Sequence, residues 1–268
     1  MPEDTVLNFN KIDNRIFVYK NPFNDLEKIV SSLADRKWDQ WYTFGDIHHI
    51  PLPGSVESDL FPDIAEWESY TNKIKDKDKD LDIVNVFYNT TKHYIEETGL
   101  TSNNWMLGKI DIAKYPDAKS ISDPNAKPFF NEIGKNYTMS FHTDYPQEST
   151  NSPGAKQIVT CNMYLNDNYD GGEIEFKVFS EDGSYERITY KPEAGDVVIF
   201  PSTPPYWHGV RETTNGDKYF VRSFWYVIDG PSEEWLENEK KYGKEVWHEM
   251  EETRKQEERI SGLYIRNG

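Results

Sequence analysis

From Asn104 onward the chain breaks into short runs of β-branched and aromatic residues separated by Gly, Pro, Asn and Asp. That rhythm leaves few folds open. The runs are too short and too closely punctuated for helices, and they predict strands near Trp105–Tyr115, Tyr137–His142, Gln157–Leu165, Glu173–Val178, Tyr185–Tyr190, Asp196–Phe200, Trp207–Val210 and Asp217–Val227. Many short strands joined by turn residues close into an antiparallel sandwich or barrel. Asp182-Gly183, between two such runs, is a hairpin signal. The connection 116–136 is long and polar, with Pro124 and Pro128 in it. Long loops in compact domains are often functional, so it is a candidate lid.

The flanks differ. Before residue 104, strand-like pieces alternate with helical ones. Asn24 is placed to cap a helix over Asp25–Arg36, with Leu26, Ile29, Val30 and Leu33 on one face. A second amphipathic stretch follows Pro62, and a third runs from Leu81 to Thr98. Lys73–Asp82 is nearly all Lys and Asp, as expected of an exposed loop or helix end. After Pro231, Ser232 is placed to cap a terminal helix whose first turn holds Glu233 and Glu234, where carboxylates favour the positive helix end. Trp235, Tyr242, Val246 and Met250 form a loose apolar stripe that predicts packing on the domain, with a dimer contact as the alternative. The expected division is a helical and mixed extension over 1–104 packed on the core, a β domain over 105–230 and a C-terminal helix over 231–268. The fold class is mainly β with flanking helices.

Charge narrows the partners. The formal net charge is −17. Such a surface repels phosphate, so no nucleic-acid partner is expected, whereas a cationic protein or peptide is compatible. The single cysteine, Cys161, rules out an intrachain disulfide and a cysteine-based zinc site, and fits a reducing, cytoplasmic setting. The N-terminus lacks a basic segment followed by an apolar run, and no stretch approaches the roughly 18 apolar residues that span a bilayer. No membrane partner is expected.

Ser140-Phe141-His142-Thr143-Asp144-Tyr145 contains His-x-Asp. Strand residues two apart face the same side, so His142 and Asp144 at a strand end can converge on one point. The chain has 6 histidines. The best third ligand is His208, in Pro204-Pro205-Tyr206-Trp207-His208-Gly209-Val210. His93 lies in a helical pattern and His248 in the terminal helix, both expected on the surface. His48-His49 is a rival pair, but neighbours on a strand point opposite ways. Two histidines and one carboxylate on one octahedral face leave three positions open, the arrangement of non-haem Fe(II) oxygenases.

Five segments in all carry a resemblance. They are Ile112-Ala113-Lys114-Tyr115-Pro116, the His142-Thr143-Asp144 triplet, Tyr164-Leu165-Asn166 running through Gly171-Gly172-Glu173-Ile174-Glu175-Phe176, Pro192-Glu193-Ala194-Gly195-Asp196-Val197-Val198-Ile199-Phe200-Pro201, and His208-Gly209-Val210 followed by Gly216-Asp217-Lys218-Tyr219. In this order the region from Trp105 to Trp225 resembles the 2-oxoglutarate- and Fe(II)-dependent dioxygenases of the prolyl 4-hydroxylase type. The resemblance implies a double-stranded β-helix, or jelly-roll, core. It also implies Fe(II), with 2-oxoglutarate and O2 as co-substrates, and catalysis through His142, Asp144 and His208.

By the same resemblance a Lys or Arg about ten residues after the second histidine holds the far carboxylate of 2-oxoglutarate. Lys218 occupies that position. Arg222 shares its strand face and offers a two-pronged alternative; a pairing with a nearby acidic residue is its other reading. Tyr115 resembles a tyrosine that hydrogen-bonds this carboxylate; a core aromatic is the other reading. Retention of Asp144 favours hydroxylation over halogenation, because related halogenases lack this carboxylate. Thr143, Tyr145, Trp207 and Trp225 are expected near the site, mainly as packing, and Asn162 is a candidate to face the iron. Three functions remain in play: hydroxylation of a prolyl or other residue in a protein or peptide, hydroxylation of a free amino acid or metabolite, and a non-catalytic jelly-roll binding module.

Overall fold

The computed structural model describes residues 7–23, 25–31, 39–40, 48–51, 77–100, 105–120, 129–132, 135–144, 155–228, 233–251 and 253. In chain order the elements are β1 (Phe9–Asp13), β2 (Ile16–Tyr19), α1 (Leu26–Ser31), β3 (Asp39–Gln40), β4 (His48–Pro51), α2 (Lys77–Thr98), β5 (Trp105–Tyr115), β6 (Phe129–Glu132), β7 (Lys135–His142), β8 (Ala155–Tyr164), β9 (Asp170–Gly171), β10 (Ile174–Phe179), β11 (Tyr185–Tyr190), β12 (Val197–Pro201), β13 (Tyr206–Arg211), β14 (Thr213–Thr214), β15 (Lys218–Ile228) and α3 (Glu233–Tyr242). A further helix, α4, covers 244–251. All eight predicted strands are present, and two of them, β5 and β11, have the predicted bounds.

A major sheet runs β1-β2-β12-β8-β15-β5-β4-β3 and a minor sheet β11-β10-β13-β7-β6, with β9 and β14 pairing separately. Every pairing is antiparallel. Spatial neighbours are seldom sequence neighbours, as in a jelly roll, where successive strands cross between two facing sheets.

Alternation along the strands builds two cores. On β8, Val159, Cys161 and Met163 turn outward; on β12, Val197 and Ile199 do the same, as does Val221 on β15. They meet Ile83, Val86, Phe87 and Tyr94 of α2 and Ile29 of α1. The intervening residues, Tyr164, Val198, Phe200 and Phe220, turn inward and pack against Ile174, Phe176 and Val210 of the minor sheet. Such a sheet is apolar on both faces because helices cover one and a second sheet covers the other.

The N-terminal region contributes more than helices. β2 pairs with β12, and Ile16 and Val18 enter the inner core while Phe17 and Tyr19 enter the outer one. Helix α1 is capped by Asp25, whose Oδ1 accepts the Lys28 amide at 3.0 Å. Asn24, the stretch after Pro62 and Ser232 lie outside the described residues. Residues 77–82 of the Lys/Asp run form the first turns of α2. That helix ends where Leu100 N reaches Ile95 O at 3.2 Å and Gly99 N reaches Glu96 O at 3.3 Å, with Gly99 at φ +64°. This is the Schellman arrangement, in which a left-handed residue closes the last carbonyls.

Three expectations change. His93 is not a simple surface residue: its Nδ1 meets Tyr19 Oη at 3.0 Å and its ring packs edge-on to Phe9. The connection 116–136 is not all loop, because Phe129–Glu132 pairs with β7. The C-terminal helix is two helices, broken at Gly243 with φ +84°. Trp235 is buried, but Tyr242, Val246 and Met250 are exposed. The break turns the stripe, and Glu239 Oε1 bridges it by accepting from Trp235 Nε1 at 3.0 Å and contacting His248 Nε2 at 2.8 Å.

The outer core depends on α2. Phe87 is fully buried there, and Phe87→Ala is expected to cost about 3–5 kcal/mol, read as a lower urea midpoint at unchanged slope.

Candidate metal centre

His142 ends β7 opposite His208 on β13. From that pair the register moves two residues along β13, to Val210, but three along β7, to Met139. The extra residue is a bulge. It lets Met139 and His142, which an ideal strand would aim to opposite sides, both line one pocket. Asp144 follows as the chain leaves the strand.

Behind this face the strands are locked by Glu175. It is fully buried, accepts Tyr137 Oη at 2.6 Å and Arg211 Nε at 2.5 Å, and pairs with Arg187 at 3.2 Å. Burial opposes ionisation of Glu175, but the Tyr137 and Arg211 hydrogen bonds outweigh it and hold its carboxyl below the usual range. The network joins β7, β10, β11 and β13, and so fixes the spacing of the two histidines.

One nitrogen or oxygen from each of His142, Asp144 and His208 falls within 4.8 Å of the other two, and this is the group of that kind found among the described residues. His142 Nε2 lies 3.4 Å from Asp144 Oδ1, and His208 Nε2 lies 3.5 Å from Asp144 Oδ2. His142 Nδ1 donates to Ser140 O at 2.7 Å. That bond leaves Nε2 as an acceptor in the neutral ring, facing a carboxylate that is also an acceptor. Lone pairs converging from three sides fit a cation, and the donor set of two imidazoles and one carboxylate suits iron of the facial-triad type. His208 is held by packing, with its ring 4.7 Å from Phe200, and its Nδ1 has no hydrogen-bond partner among the described residues.

Electrostatics keeps the set ready for a metal. Burial disfavours the Asp144 carboxylate, but His208, His142 and the Thr160 hydroxyl outweigh it and hold the carboxyl below the usual range. Burial pushes His208 down to about 3, aided by the charges of His142 and Arg222 and opposed by Asp144. Deprotonated ligands are those that bind metal.

The same pocket holds Tyr115, Thr160, Asn162, Tyr164, Lys218 and Arg222. Lys218 and Tyr115 are partners across β15 and β5 at the deep end. Lys218 Nζ donates to Gly172 O at 2.5 Å and lies 4.7 Å from the Tyr164 ring centroid. Burial, then the charge of Lys191, pulls Lys218 down to about 7. The turn supplying that carbonyl needs glycine: Gly172 has φ +67°, and a Cβ there would come within 2.7 Å of the Tyr169 ring.

The predicted site residues His142, Asp144, His208, Lys218, Tyr115, Arg222 and Asn162 therefore line one cavity. Trp207 lies half-exposed and Trp225 packs in the outer core, so neither lines the pocket. Tyr145 lies outside the described residues. His48 and His49 sit on β4, which pairs with β5 near the far edge of the major sheet. The sequence reading missed Thr160, Ser202 and Tyr164. Thr160 Oγ1 donates to Asp144 Oδ2 at 2.7 Å and also meets Ser202 Oγ at 2.7 Å. Period two from Asn162 would have found Thr160 and Tyr164, since all three share one face of β8.

Acid sensitivity follows for the metal-free protein. His208 falls from an ordinary value near 6.5 to about 3 on folding, so between those pH values the unfolded chain binds the extra proton. Stability is expected to drop as pH falls through that window, and His208→Leu to flatten the drop, as followed by urea midpoints across a pH series.

Residues 128–227 match the family model described as the 2OG-Fe(II) oxygenase superfamily. Prolyl 3-hydroxylase 2 of Mus musculus is 34% identical over 68 residues, covering 25% of this chain and 9% of that protein. The chain thus spans a small fraction of that relative's length. Among solved structures, a Trichoplax adhaerens prolyl hydroxylase in complex with a hypoxia inducible factor peptide fragment aligns at TM-score 0.49 and 12% identity, covering 81% of this chain and 84% of that one. A Pseudomonas putida prolyl-4-hydroxylase aligns at TM-score 0.46 and 15% identity, covering 80% and 93%. Residues 128–227, the stretch that matches this family model, contain His142, Asp144 and His208.

Proposed function

We propose that the chain is an Fe(II)- and 2-oxoglutarate-dependent dioxygenase that hydroxylates a carbon of its substrate. The observation that carries this reading is the convergence of His142, Asp144 and His208 in a pocket whose deep end holds a buried lysine. When bound, iron with 2-oxoglutarate and O2 supplies the oxidation: R–H, 2-oxoglutarate and O2 give R–OH, succinate and CO2.

The protein's part is binding and orientation. His142, His208 and Asp144 would hold the metal. The hydrogen bond that His142 Nδ1 donates to Ser140 O fixes the His142 ring, and Thr160 restrains Asp144 Oδ2. Partners of this kind orient ligands and raise metal affinity. Lys218 receives the free carboxylate of 2-oxoglutarate, with Tyr115 and Tyr164 beside it. Near 7, Lys218 is only partly charged at neutral pH, and an arriving carboxylate favours its ammonium form. Apolar walls from Met139, Val210 and Phe220 exclude water from the reacting carbon.

The prolyl or other residue of a protein or peptide is one substrate reading, supported by the local identity to Prolyl 3-hydroxylase 2. A free amino acid is the second, favoured by Arg222 and Asn162 inside the pocket.

The decisive assay follows succinate released from 2-oxoglutarate with Fe(II) in air. His208→Ala and Asp144→Ala are expected to abolish iron binding and succinate release together. Iron binding retained by either variant would refute the ligand assignment, and a wild-type protein that neither binds iron nor makes succinate would leave a non-catalytic binding module. Lys218→Ala is expected to raise the 2-oxoglutarate Kd about 10- to 100-fold through loss of one charge-assisted contact. Thr160→Val is expected to weaken Fe(II) binding about tenfold, measured by metal competition.

A further inference from the structure

The turn beside the deep end of the pocket is gripped by two lysines. Gly171 and Gly172 are both left-handed, at φ +69° and +67°, a conformation that glycine adopts freely. From inside the pocket, Lys218 Nζ donates to Gly172 O. From the surface, Lys191 Nζ donates to Tyr169 O at 3.1 Å and to Gly171 O. Both ammonium groups also approach the buried Tyr169 ring, whose centroid lies 3.9 Å from Lys191 Nζ and 5.8 Å from Lys218 Nζ. Around Lys218 stand Tyr115 from β5, Tyr164 from β8, and Tyr169 and Glu173 from either side of the two glycines. The Glu173 charge favours the Lys218 ammonium, and the Lys191 charge disfavours it. Lys191 in turn feels Glu173, Asp170 and Asp167.

We propose that Lys191 is a positioning residue for 2-oxoglutarate: it holds the turn that presents Gly172 O to Lys218, and its charge makes the Lys218 ammonium depend on an incoming anion. The inference rests on the dioxygenase reading above and gives the co-substrate anchor a control outside the pocket. Lys218 donates to a backbone carbonyl, which carries only partial negative charge, so a full carboxylate is the stronger acceptor. Repulsion by Lys191 widens that difference, because a carboxylate bound at Lys218 screens one ammonium from the other. A buried lysine is a point charge whose proton affinity shifts readily with such neighbours. Burial and Lys191 bring Lys218 to about 7, so the unliganded anchor loses its proton within the neutral range. The 2-oxoglutarate carboxylate pairs with the ammonium. Affinity is therefore full below that value and falls as pH rises through it.

The test compares wild type, Lys191→Met, Lys191→Arg and Glu173→Gln, each as the full chain. In the metal-free protein, Lys218 is titrated by NMR of its side-chain ε-carbon. Lys191→Met is expected to move the Lys218 midpoint up by about half a pH unit. Lys191→Arg is expected to leave it in place, and Glu173→Gln to move it down. In the Mn(II)-loaded protein without O2, the wild-type Kd for 2-oxoglutarate is expected to rise by up to about tenfold per pH unit above the midpoint. The onset of that rise moves to higher pH in Lys191→Met and stays in Lys191→Arg. Pyruvate chelates the metal through the same 2-oxo acid but has no far carboxylate. Its Kd is expected to be equal in wild type and both Lys191 variants at each pH. A Lys218 midpoint that Lys191→Met leaves unmoved overturns the proposal. So does a loss of pyruvate binding as large as any loss of 2-oxoglutarate binding, which would make Lys191 a general support of the fold. If the wild type binds neither Mn(II) nor 2-oxoglutarate, the dioxygenase reading itself fails and takes this one with it, whatever the Lys218 midpoint does.

Discussion

Strict alternation along the central strands of the major sheet is the constraint on which everything else depends. On β8 the odd residues Val159, Cys161 and Met163 build the helix-covered core, and the even residues Thr160, Asn162 and Tyr164 build the pocket. On β15 the division is the same, with Val221 outside and Lys218, Phe220 and Arg222 inside. A slip of one residue would place a lysine and an arginine against α2 and empty the site. Folding energy and chemistry are therefore specified by one register. The apolar half enforces it, since those residues lose their burial in any other pairing.

The site shows what burial does to charge. His208, Asp144 and Lys218 are each shifted from their ordinary ionisation, for different reasons. The imidazole is neutral because it is buried, while the carboxylate stays ionised because neighbouring imidazoles and a hydroxyl outweigh its burial. Lys218 is drawn toward neutrality by burial and by the charge of Lys191. The fully buried Glu175 sits on the other face of the minor sheet, where Arg211, Arg187 and Tyr137 satisfy it. A paired buried charge of this kind is costly to break. Its position behind His208 lets it hold the strands without entering the pocket.

Much of this was legible in the chain. The strands from Trp105 to Val227 were readable because turn residues bracket them and because β-branched and aromatic residues fill them. His142, Asp144, His208 and Lys218 were readable because their spacing carries a family pattern. Other features left no comparable signal. Ile16–Tyr19 is a strand because β12, far away in sequence, offers an edge to pair with, and Phe9–Asp13 pairs in turn with Ile16–Tyr19. His93 belongs to a helical pattern, and only its packing against Phe9 and Tyr19 removes it from the surface. Gly243 reads as a tolerable helix residue until the backbone turns there to let Glu239 bridge Trp235 and His248.

By itself, the sequence determined the class of fold and picked out His142, Asp144 and His208 as a candidate metal-ligand set. These follow from local patterning and from which side chains can donate to a metal. Only the tertiary structure decided how the set is held. The bulge that brings Met139 and His142 to one side, the Thr160 hydroxyl on Asp144 and the pairing of Arg222 with Asn162 all arise between strands distant in sequence. Register, unlike period, is a relation between two segments, and neither segment encodes it alone.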